Sequence, residues 1–326
     1  MSSDNVRAVF GATQGTHSND GGWRRKYEWL KILIGAIGVP LKMSVATALC
    51  FLAVCWAVTA NAINANISRK QSSYGQRLIR FLVRTMERLA GRPWRRLSLL
   101  PIQFFARGIL FCLGFFWIDT TGTPASIDEA VILVANHTSM WEVLYLFYVF
   151  GPSALSRVEN LKIPGLSAVL QLSESYFTDR SDKTSCKEAS VMISKHTERA
   201  RLDPNRANQL LIFPEGTTTN GSVVCAFKTG AFRPGVAVQP IAIRYDWKFH
   251  NPAWTLDNMG IMRNLVGMYL QFVNKMHVTF LPVYSPSEDE RRVAKLFAAN
   301  VQRLIATAIN VPTSDMSVSH VMNVIQ

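Results

Sequence analysis

Hydrophobic and polar positions follow two different patterns along this 326-residue chain. Residues 43–67 carry no charge and residues 97–118 form a second largely apolar stretch, whereas from about residue 118 short apolar runs alternate with amphipathic ones. The apolar runs predict β-strands and the amphipathic ones predict α-helices. The predicted strands are 131–134, 210–213, 237–243 and 277–281, and the predicted helices are 142–150, 186–199 and 288–309. The chain is therefore predicted to begin with apolar helices and to continue as an α/β domain.

The uncharged stretch 43–67 exceeds the ~20 residues that cross a bilayer as a helix. Membrane insertion is favoured over a buried helix of a soluble domain, because no charge interrupts the run. Pro40 and Lys42 separate it from the apolar residues 32–41, so a single span and a bent pair of helices returning to the same side both stay open. Basic residues at both ends favour the returning hairpin by the positive-inside rule.

Much of the formal net charge of +13 falls between residues 69 and 107, where Glu87 is the single acid among ten basic residues. Four arginines there follow helical spacing and four apolar residues line another face, which predicts an interfacial helix on anionic lipid rather than a solvated basic face. The arginines are Arg77, Arg80, Arg84 and Arg88, and the apolar residues are Leu78, Phe81, Leu82 and Leu89. Next along the chain, Pro101 and Arg107 interrupt the apolar residues 97–118. An arginine at the centre of a span costs ~2.5 to 3.5 kcal/mol, so this segment is predicted to be a shallow or re-entrant helix.

Composition and the absence of certain motifs argue against several other kinds of site and function. The five cysteines are odd in number and scattered, which indicates a reducing compartment and neither disulfides nor a zinc site. A nucleic-acid-binding protein is not favoured, since no recognition helix or zinc spacing accompanies the basic run and apolar segments flank it. A serine hydrolase is not favoured either, because the chain has no Gly-x-Ser-x-Gly elbow.

Two polar segments each follow a predicted strand. The first is Asn136-His137-Thr-Ser-Met-Trp-Glu142 and the second is Phe213-Pro-Glu215-Gly216-Thr217-Thr218. If the two strands are parallel neighbours, both segments meet at one end of the sheet, where α/β proteins bind ligands. A histidine removes a proton near neutral pH, and a carboxylate fixes its tautomer. An active site is therefore predicted here.

The pair His137 and Glu142 also has a structural interpretation, because Ser139-Met-Trp-Glu142 has the form of a helix capping box. Positions five apart lie about 140° from each other around an ideal helix, so His137 must precede the helix for Glu142 to reach it. The two interpretations are compatible.

Four motifs occur in order along the chain. They are Asn136-His137 with an acid at Glu142, Phe177-Thr-Asp179-Arg180, Phe213-Pro-Glu215-Gly216 and Val238-Gln-Pro240-Ile-Ala242. Together they resemble the glycerolipid acyltransferase family. The segments 215–221 and 227–235, continuing to Arg244-Tyr245, look like the lysophosphatidylcholine and lysophosphatidylethanolamine acyltransferase branch.

The resemblance implies a mixed sheet covered by helices and transfer of a fatty acyl group from acyl-CoA to a lysophospholipid. Its implied catalytic residues are His137 as base and Glu142 as its partner, without cofactor, metal or covalent intermediate. It implies substrate binding by Asn136, Phe177, Asp179, Arg180, Glu215, Gly216, Thr217, Thr218, Lys228, Gly230 and Pro240. A guanidinium such as that of Arg180 suits phosphate, although its acidic neighbours offer it a surface ion pair as well. Glu215 suits a substrate hydroxyl, or orients Arg180, and Lys228 offers a point charge.

Two residues depart from the family pattern. Glu142 stands where the family normally has aspartate, and Thr218 stands where the branch that forms phosphatidic acid usually has arginine. The second departure favours an acceptor with a phosphodiester head group over lysophosphatidate or glycerol 3-phosphate. The first motivates a rival function, a catalytically inactive membrane scaffold with the acyltransferase fold.

The resulting organisation has four parts. We expect a disordered tail at 1–22, a membrane-associated helical segment at 23–118, the catalytic domain at 119–312 and a C-terminal tail at 313–326. The polar start has no apolar core of a secretory signal. We expect the protein in the endoplasmic reticulum membrane with its catalytic domain facing the cytosol. We expect no control by calcium, because nothing like an EF-hand loop follows the predicted catalytic domain.

Overall fold

Three N-terminal helices precede an α/β unit in the protein. The structure, a computed structural model, describes residues 23–68, 74–90, 93–179, 182–247, 250–254, 260–271 and 273–315. The predicted tail at 1–22 lies outside these residues, as does the predicted C-terminal tail from residue 316 onward. The first residues of that C-terminal tail pack on the domain, since Ser314 donates its backbone amide to the carbonyl of Val224 at 2.9 Å.

The first helix, α1, spans Trp23–Ser68 and continues through Pro40. The prediction of a helical hairpin that turns at Pro40 and Lys42 is therefore wrong. A proline within a helix removes one backbone hydrogen bond and kinks the helix without necessarily ending it. Among the described residues, Gly38–Ala65 is the helical stretch long and apolar enough to cross a membrane, with a mean hydropathy of 2.0. This long apolar helix indicates membrane association.

The third helix, α3 at Trp94–Cys112, packs antiparallel to α1. The indole of Trp56 donates to the carbonyl of Ser98 at 2.7 Å, and a Cβ placed on Gly108 would lie 2.8 Å from Leu49. Arg107 donates to the carbonyls of Phe115 and Phe116, at 3.2 and 2.7 Å, just beyond the end of α3. These backbone acceptors offset part of the desolvation of the arginine that made a full span unfavourable in the sequence.

The second helix, α2, spans Tyr74–Ala90 and carries the predicted basic run. Arg77, Arg84 and Arg88 are exposed, and Arg80 is half-buried. The apolar face is exposed too, with Leu89 at 84% and Phe81 at 65% exposure. An apolar face left uncovered on an amphipathic helix suits a lipid surface.

In the part of the chain that the structure describes, seven strands form one mixed sheet in the order β1-β7-β6-β2-β5-β3-β4. The strands are β1 Asp119–Thr121, β2 Ile132–Ala135, β3 Ser153–Arg157, β4 Tyr176–Thr178, β5 Leu210–Ile212, β6 Val238–Asp246 and β7 Lys275–Phe280. All neighbours are parallel except β6 and β7. The predicted α/β class with a mixed sheet is confirmed. Strands β1, β3 and β4 escaped the pattern analysis because they are short and carry polar residues.

Helices cover both faces of the sheet. They are α4 Trp141–Phe150, α5 Pro164–Leu172, α6 Lys183–Leu202, α7 Gly260–Leu270, α8 Glu288–Arg292 and α9 Ala294–Ala308. One core joins α3, α4 and α7 to one face, and the other joins α6 and α9 to the opposite face. The single helix predicted at 288–309 is wrong, since Val293 adopts φ −120° and ψ 84° between α8 and α9.

Candidate active site

The end of β2 is fixed to β6 by the side chain of Asn136. Its amide donates to the carbonyl of Ile243 at 2.9 Å and accepts from the amide of Ile243 at 2.8 Å. The backbone pairing of β2 with β6 ends at Ala135 and Ile241, and the Asn136 side chain continues the contact with two further hydrogen bonds. Asn136 is buried. The structure therefore gives it a clear role in positioning the loop that follows β2, while its predicted contact with substrate stays a prediction.

The ring of His137 lies against the carboxylate of Glu142, with 3.1 Å between Nδ1 and Oε1. The same oxygen accepts from the backbone amides of Thr138 and Ser139, at 2.7 and 2.6 Å. Glu142 is fully buried, whereas the His137 side chain is 17% exposed. When Nδ1 carries the proton, Glu142 stabilises the tautomer whose Nε2 is a base.

Only half of the predicted capping box forms. Glu142 accepts from the amide of Ser139, but the hydroxyl of Ser139 donates to the carbonyl of Pro252 at 2.7 Å. Helix α4 begins at Trp141 with Met140 as its N-cap residue and no side-chain cap. His137 thus precedes the helix, as the geometry required.

The second oxygen of Glu142 accepts a hydrogen bond from the phenol of Tyr245 on β6. Burial, followed by the nearby charge of Glu142, raises the pKa of Tyr245 well above its ordinary value. The phenol therefore stays protonated and remains a donor. Sequence reasoning placed Tyr245 in a family motif but gave it no role, because only the fold brings it to Glu142.

Glu215 lies beneath the same loop. Its carboxylate accepts from the backbone amides of His137 and Cys225, at 2.8 and 3.0 Å, and its side chain is 1% exposed. The ring of Phe213 stacks on the His137 imidazole with 4.1 Å between centroids. Burial raises the pKa of Glu215 to about 8, against the opposing effect of the two amide bonds. The two polar segments meet, as predicted, and Glu215 holds the main chain of the histidine loop.

A third segment, residues 250–254, joins both loops. The hydroxyl of Thr218 donates to the carbonyl of Trp254, and the amide of Trp254 donates to the carbonyl of Thr138 at 2.9 Å. The sequence gave no indication of this segment. Thr218 thus has a structural partner in the position where an arginine was expected in another branch.

A cleft of about 260 Å³ opens beside Phe213 and Gly216. Three basic residues line it, and two of them, Lys187 and Arg233, were not found from the sequence; the third is Lys228. Gly230 lines the cleft as well. Gly216 has φ +84°, and a Cβ there would lie 2.8 Å from Nζ of Lys228, so the turn needs glycine for both backbone and space.

The remaining predicted binding residues are distributed differently. Arg180 lies outside the described residues. Phe177 packs against the cluster formed by Phe147, Ala154 and Leu170, and the amide of Asp179 donates to the hydroxyl of Ser185 at 3.0 Å. Pro240 is buried within β6, paired with Val134, and Thr217 is half-buried in the turn.

The backbone amides of Ser139 and Gly216, in the two polar segments, both have acceptors within the protein. Ser139 donates its amide to Glu142, and Gly216 donates its amide to the carbonyl of Phe213 at 3.1 Å.

The fold and site define an α/β protein in which a buried carboxylate orients a histidine at the carboxyl end of a central strand. Residues 118–244 match the Acyltransferase family. The chain belongs to this acyltransferase family.

Several curated relatives match the chain. It is 32% identical over 229 residues to lysophospholipid acyltransferase LPEAT2 of Arabidopsis thaliana, which covers 70% of this chain and 41% of the relative. It is 36% identical to lysophospholipid acyltransferase LPCAT4 of Xenopus tropicalis, over 66% of this chain and 40% of the relative. It is 34% identical to lysophosphatidylcholine acyltransferase of Drosophila melanogaster, over 73% of this chain and 45% of the relative. The chain thus matches less than half the length of these relatives.

Among solved structures, the chain resembles the 1-acyl-sn-glycerophosphate (LPA) acyltransferase PlsC of Thermotoga maritima. The TM-score is 0.44 at 20% sequence identity, covering 80% of this chain and 98% of the other.

Proposed function

We propose that the protein transfers a fatty acyl group from acyl-CoA to the free hydroxyl of a lysophospholipid. The observation that carries this proposal is the His137–Glu142 contact of 3.1 Å, in a chain related to proteins named lysophospholipid acyltransferases. A thioester is already activated, so the chemistry needs a positioned base and no metal or covalent intermediate.

In this mechanism Nε2 of His137 takes the proton of the acceptor hydroxyl, while the hydroxyl oxygen attacks the thioester carbonyl. The carbon–sulfur bond then breaks, and the thiolate of CoA leaves and receives the proton from the imidazolium. Glu142 stabilises the transient imidazolium through Nδ1. A general base of this kind contributes ~100 to 10,000-fold to the rate.

The basic cleft suits the phosphate of the acceptor. Lys187, Lys228 and Arg233 line one cavity that borders Phe213, the ring stacked on His137. Cationic side chains bind phosphate oxygens through charge-assisted hydrogen bonds. A phosphate held here would lie next to the Phe213 ring that stacks on His137.

The helical segment supports a membrane setting. Helix α1 supplies the long apolar stretch, and the basic and apolar faces of α2 suit anionic head groups and acyl chains. A lysophospholipid then enters the site sideways from the leaflet. We place the protein in the endoplasmic reticulum membrane with its catalytic domain on the cytosolic side. The argument is that ten basic residues against one acid lie at 69–107, between the apolar helix and the catalytic domain, and basic flanks favour the cytosolic face.

Two alternative functions are compared with this proposal, and a specific residue or contact argues against each. The resemblance to the glycerolipid acyltransferase family leaves lysophosphatidate and glycerol 3-phosphate as alternative acceptors, and Thr218 argues against both. An inactive scaffold is motivated by Glu142 in place of aspartate. The formed contact between His137 and Glu142 argues against it.

The decisive experiment measures thiol release from long-chain acyl-CoA by the reconstituted protein. Lysophosphatidylcholine, lysophosphatidylethanolamine, lysophosphatidylglycerol, lysophosphatidate and glycerol 3-phosphate are offered separately. We expect turnover that His137→Ala abolishes and that a matched histidine variant on β7, His277→Gln, retains. Absence of turnover with every acceptor would overturn the proposal in favour of the scaffold.

A further inference from the structure

We propose that Tyr245 is a positioning residue for the histidine–glutamate pair, and that it is the partner which allows a glutamate to serve at position 142. This inference rests on the proposed acyl transfer. Tyr245 would touch neither the acceptor nor acyl-CoA, since it acts through the carboxylate of Glu142.

The two oxygens of Glu142 have separate partners. Oε1 accepts from the imidazole of His137 and from two backbone amides, whereas Oε2 accepts from the phenol of Tyr245. Glu142 has no exposed surface. A buried carboxylate oxygen without a donor is strongly unfavourable, so the phenol stabilises the ionised form.

The position of Tyr245 is rigid. Its strand, β6, pairs with β2 on one side and β7 on the other, where Tyr245 lies opposite Met276. Asn136 binds both backbone groups of Ile243, two residues before Tyr245. The residue is 9% exposed, and its ring packs near that of Phe115, with 6.1 Å between centroids. The phenol is therefore held at a constant distance from the histidine loop.

The length of the acidic side chain at position 142 determines whether its carboxylate can contact both His137 and Tyr245. A glutamate has one methylene more than an aspartate, so one oxygen can stay with His137 and the adjacent amides while the other extends to β6. An aspartate that keeps the first set of contacts falls short of the phenol. Glu142 and Tyr245 are thus a matched pair.

The test is a double-mutant cycle of Tyr245→Phe and Glu142→Asp, because phenylalanine keeps the ring and removes only the hydroxyl. We expect Tyr245→Phe to lower kcat about tenfold to a hundredfold with little change in KM. In the Glu142→Asp background the same substitution should change kcat less than about twofold, since the bond is already lost. Equal effects in both backgrounds, or an unchanged kcat in Tyr245→Phe, would overturn the proposal.

A second readout does not depend on turnover. Loss of the phenol leaves Oε2 of Glu142 without its donor in a buried place. We expect Tyr245→Phe to lower the melting temperature in detergent when Glu142 is present, and to change it much less in the Glu142→Asp background, where the bond is already absent. Equal changes in both backgrounds would contradict the pairing of Tyr245 with Glu142 even if no acceptor turns over, whereas unequal changes without turnover would contradict only the proposed function.

Discussion

The backbone amide of His137 donates to the carboxylate of Glu215 at 2.8 Å, so the two polar segments of the sequence share one hydrogen bond beneath the imidazole. Glu215 is thus placed to orient the main chain of His137, while Glu142 orients the imidazole ring. Its depth in the protein also makes its charge unfavourable.

The first prediction concerns Glu215→Gln and pH. Burial raises the pKa of Glu215 from 4.5 to about 8, so the unfolded chain ionises this group before the folded protein does. As pH rises from about 4.5 to about 8, the folded protein holds more protons than the unfolded chain, and this group's contribution to the free energy of unfolding falls. Glutamine does not titrate. We expect the melting temperature of the wild type in detergent to fall relative to Glu215→Gln across this range.

A matched control is Glu188→Gln, at an exposed position on α6. Its melting temperature should follow the wild type at every pH. A constant difference between the wild type and Glu215→Gln from acid to alkaline pH would contradict the assignment of a raised pKa to Glu215.

The second prediction concerns Asn136→Ala. This change leaves the amide and carbonyl of Ile243 without their side-chain partner in a buried location. Each unsatisfied buried group costs ~1 to 3 kcal/mol, so the melting temperature should fall by several degrees and activity with it. Asn205→Ala, at an exposed turn, is the control and should leave both unchanged. Normal stability of Asn136→Ala would show that water replaces the lost bonds.

The third prediction concerns the hydroxyl of Thr218. Thr218→Val keeps the shape and removes the bond to the carbonyl of Trp254, which joins residues 250–254 to the turn. Loss of one such bond is worth ~1 kcal/mol, so we expect kcat to fall severalfold. Thr218→Ser retains a hydroxyl and should retain activity. Equal activity of the valine and serine variants would rule out this contact as a support of the site.

A related variant tests specificity at the same position. Thr218→Arg adds a guanidinium suited to a phosphate monoester. We expect the ratio of kcat/KM for lysophosphatidate to that for lysophosphatidylcholine to rise. A fall in both values without a change in ratio would show that Thr218 supports the fold of the site and does not select the acceptor.

The fourth prediction concerns the basic cleft. Lys228→Met removes a positive charge from the cavity that borders Gly216. A charge-assisted hydrogen bond to phosphate is worth ~1.5 to 3 kcal/mol, so KM for the lysophospholipid should rise about tenfold or more with kcat little changed. Lys295→Met, at an exposed position on α9, is the control. If KM for acyl-CoA rises instead, the cleft holds the phosphates of the donor.

The fifth prediction concerns the contact between α1 and α3. Gly108→Val introduces a branched side chain whose Cβ would lie 2.8 Å from the terminal methyl Cδ1 of Leu49, so Leu49 must move and the contact between the two helices becomes crowded. We expect a lower melting temperature in detergent. Gly38→Val, in open space on α1, provides the matched comparison and should have a smaller effect. Similar melting temperatures for the two variants would indicate that the helices adjust without loss of packing.

The alternation of apolar runs determined the α/β class and the position of the central strands, because β2, β5 and β6 are buried and must be apolar. The order of the motifs also singled out His137, Glu142 and the Glu215 turn as candidate site residues, since few residue types carry proton transfer near neutral pH. The long uncharged run identified the apolar part of α1. These features depend on local composition, which a single sequence displays.

Tertiary structure decided the rest. Tyr245 and residues 250–254 reach the histidine loop from more than 100 residues away, and no local pattern encodes such a distance. Glu215 changed from a group expected to face substrate into one engaged by two backbone amides, because only the packing shows which way a carboxylate points. Lys187 and Arg233 are two of many basic residues in the sequence. Only the contact of α6 with the turn at 229–231 shows that they line the same cleft. The sequence thus determined which groups are present, and the fold determined which of them can touch.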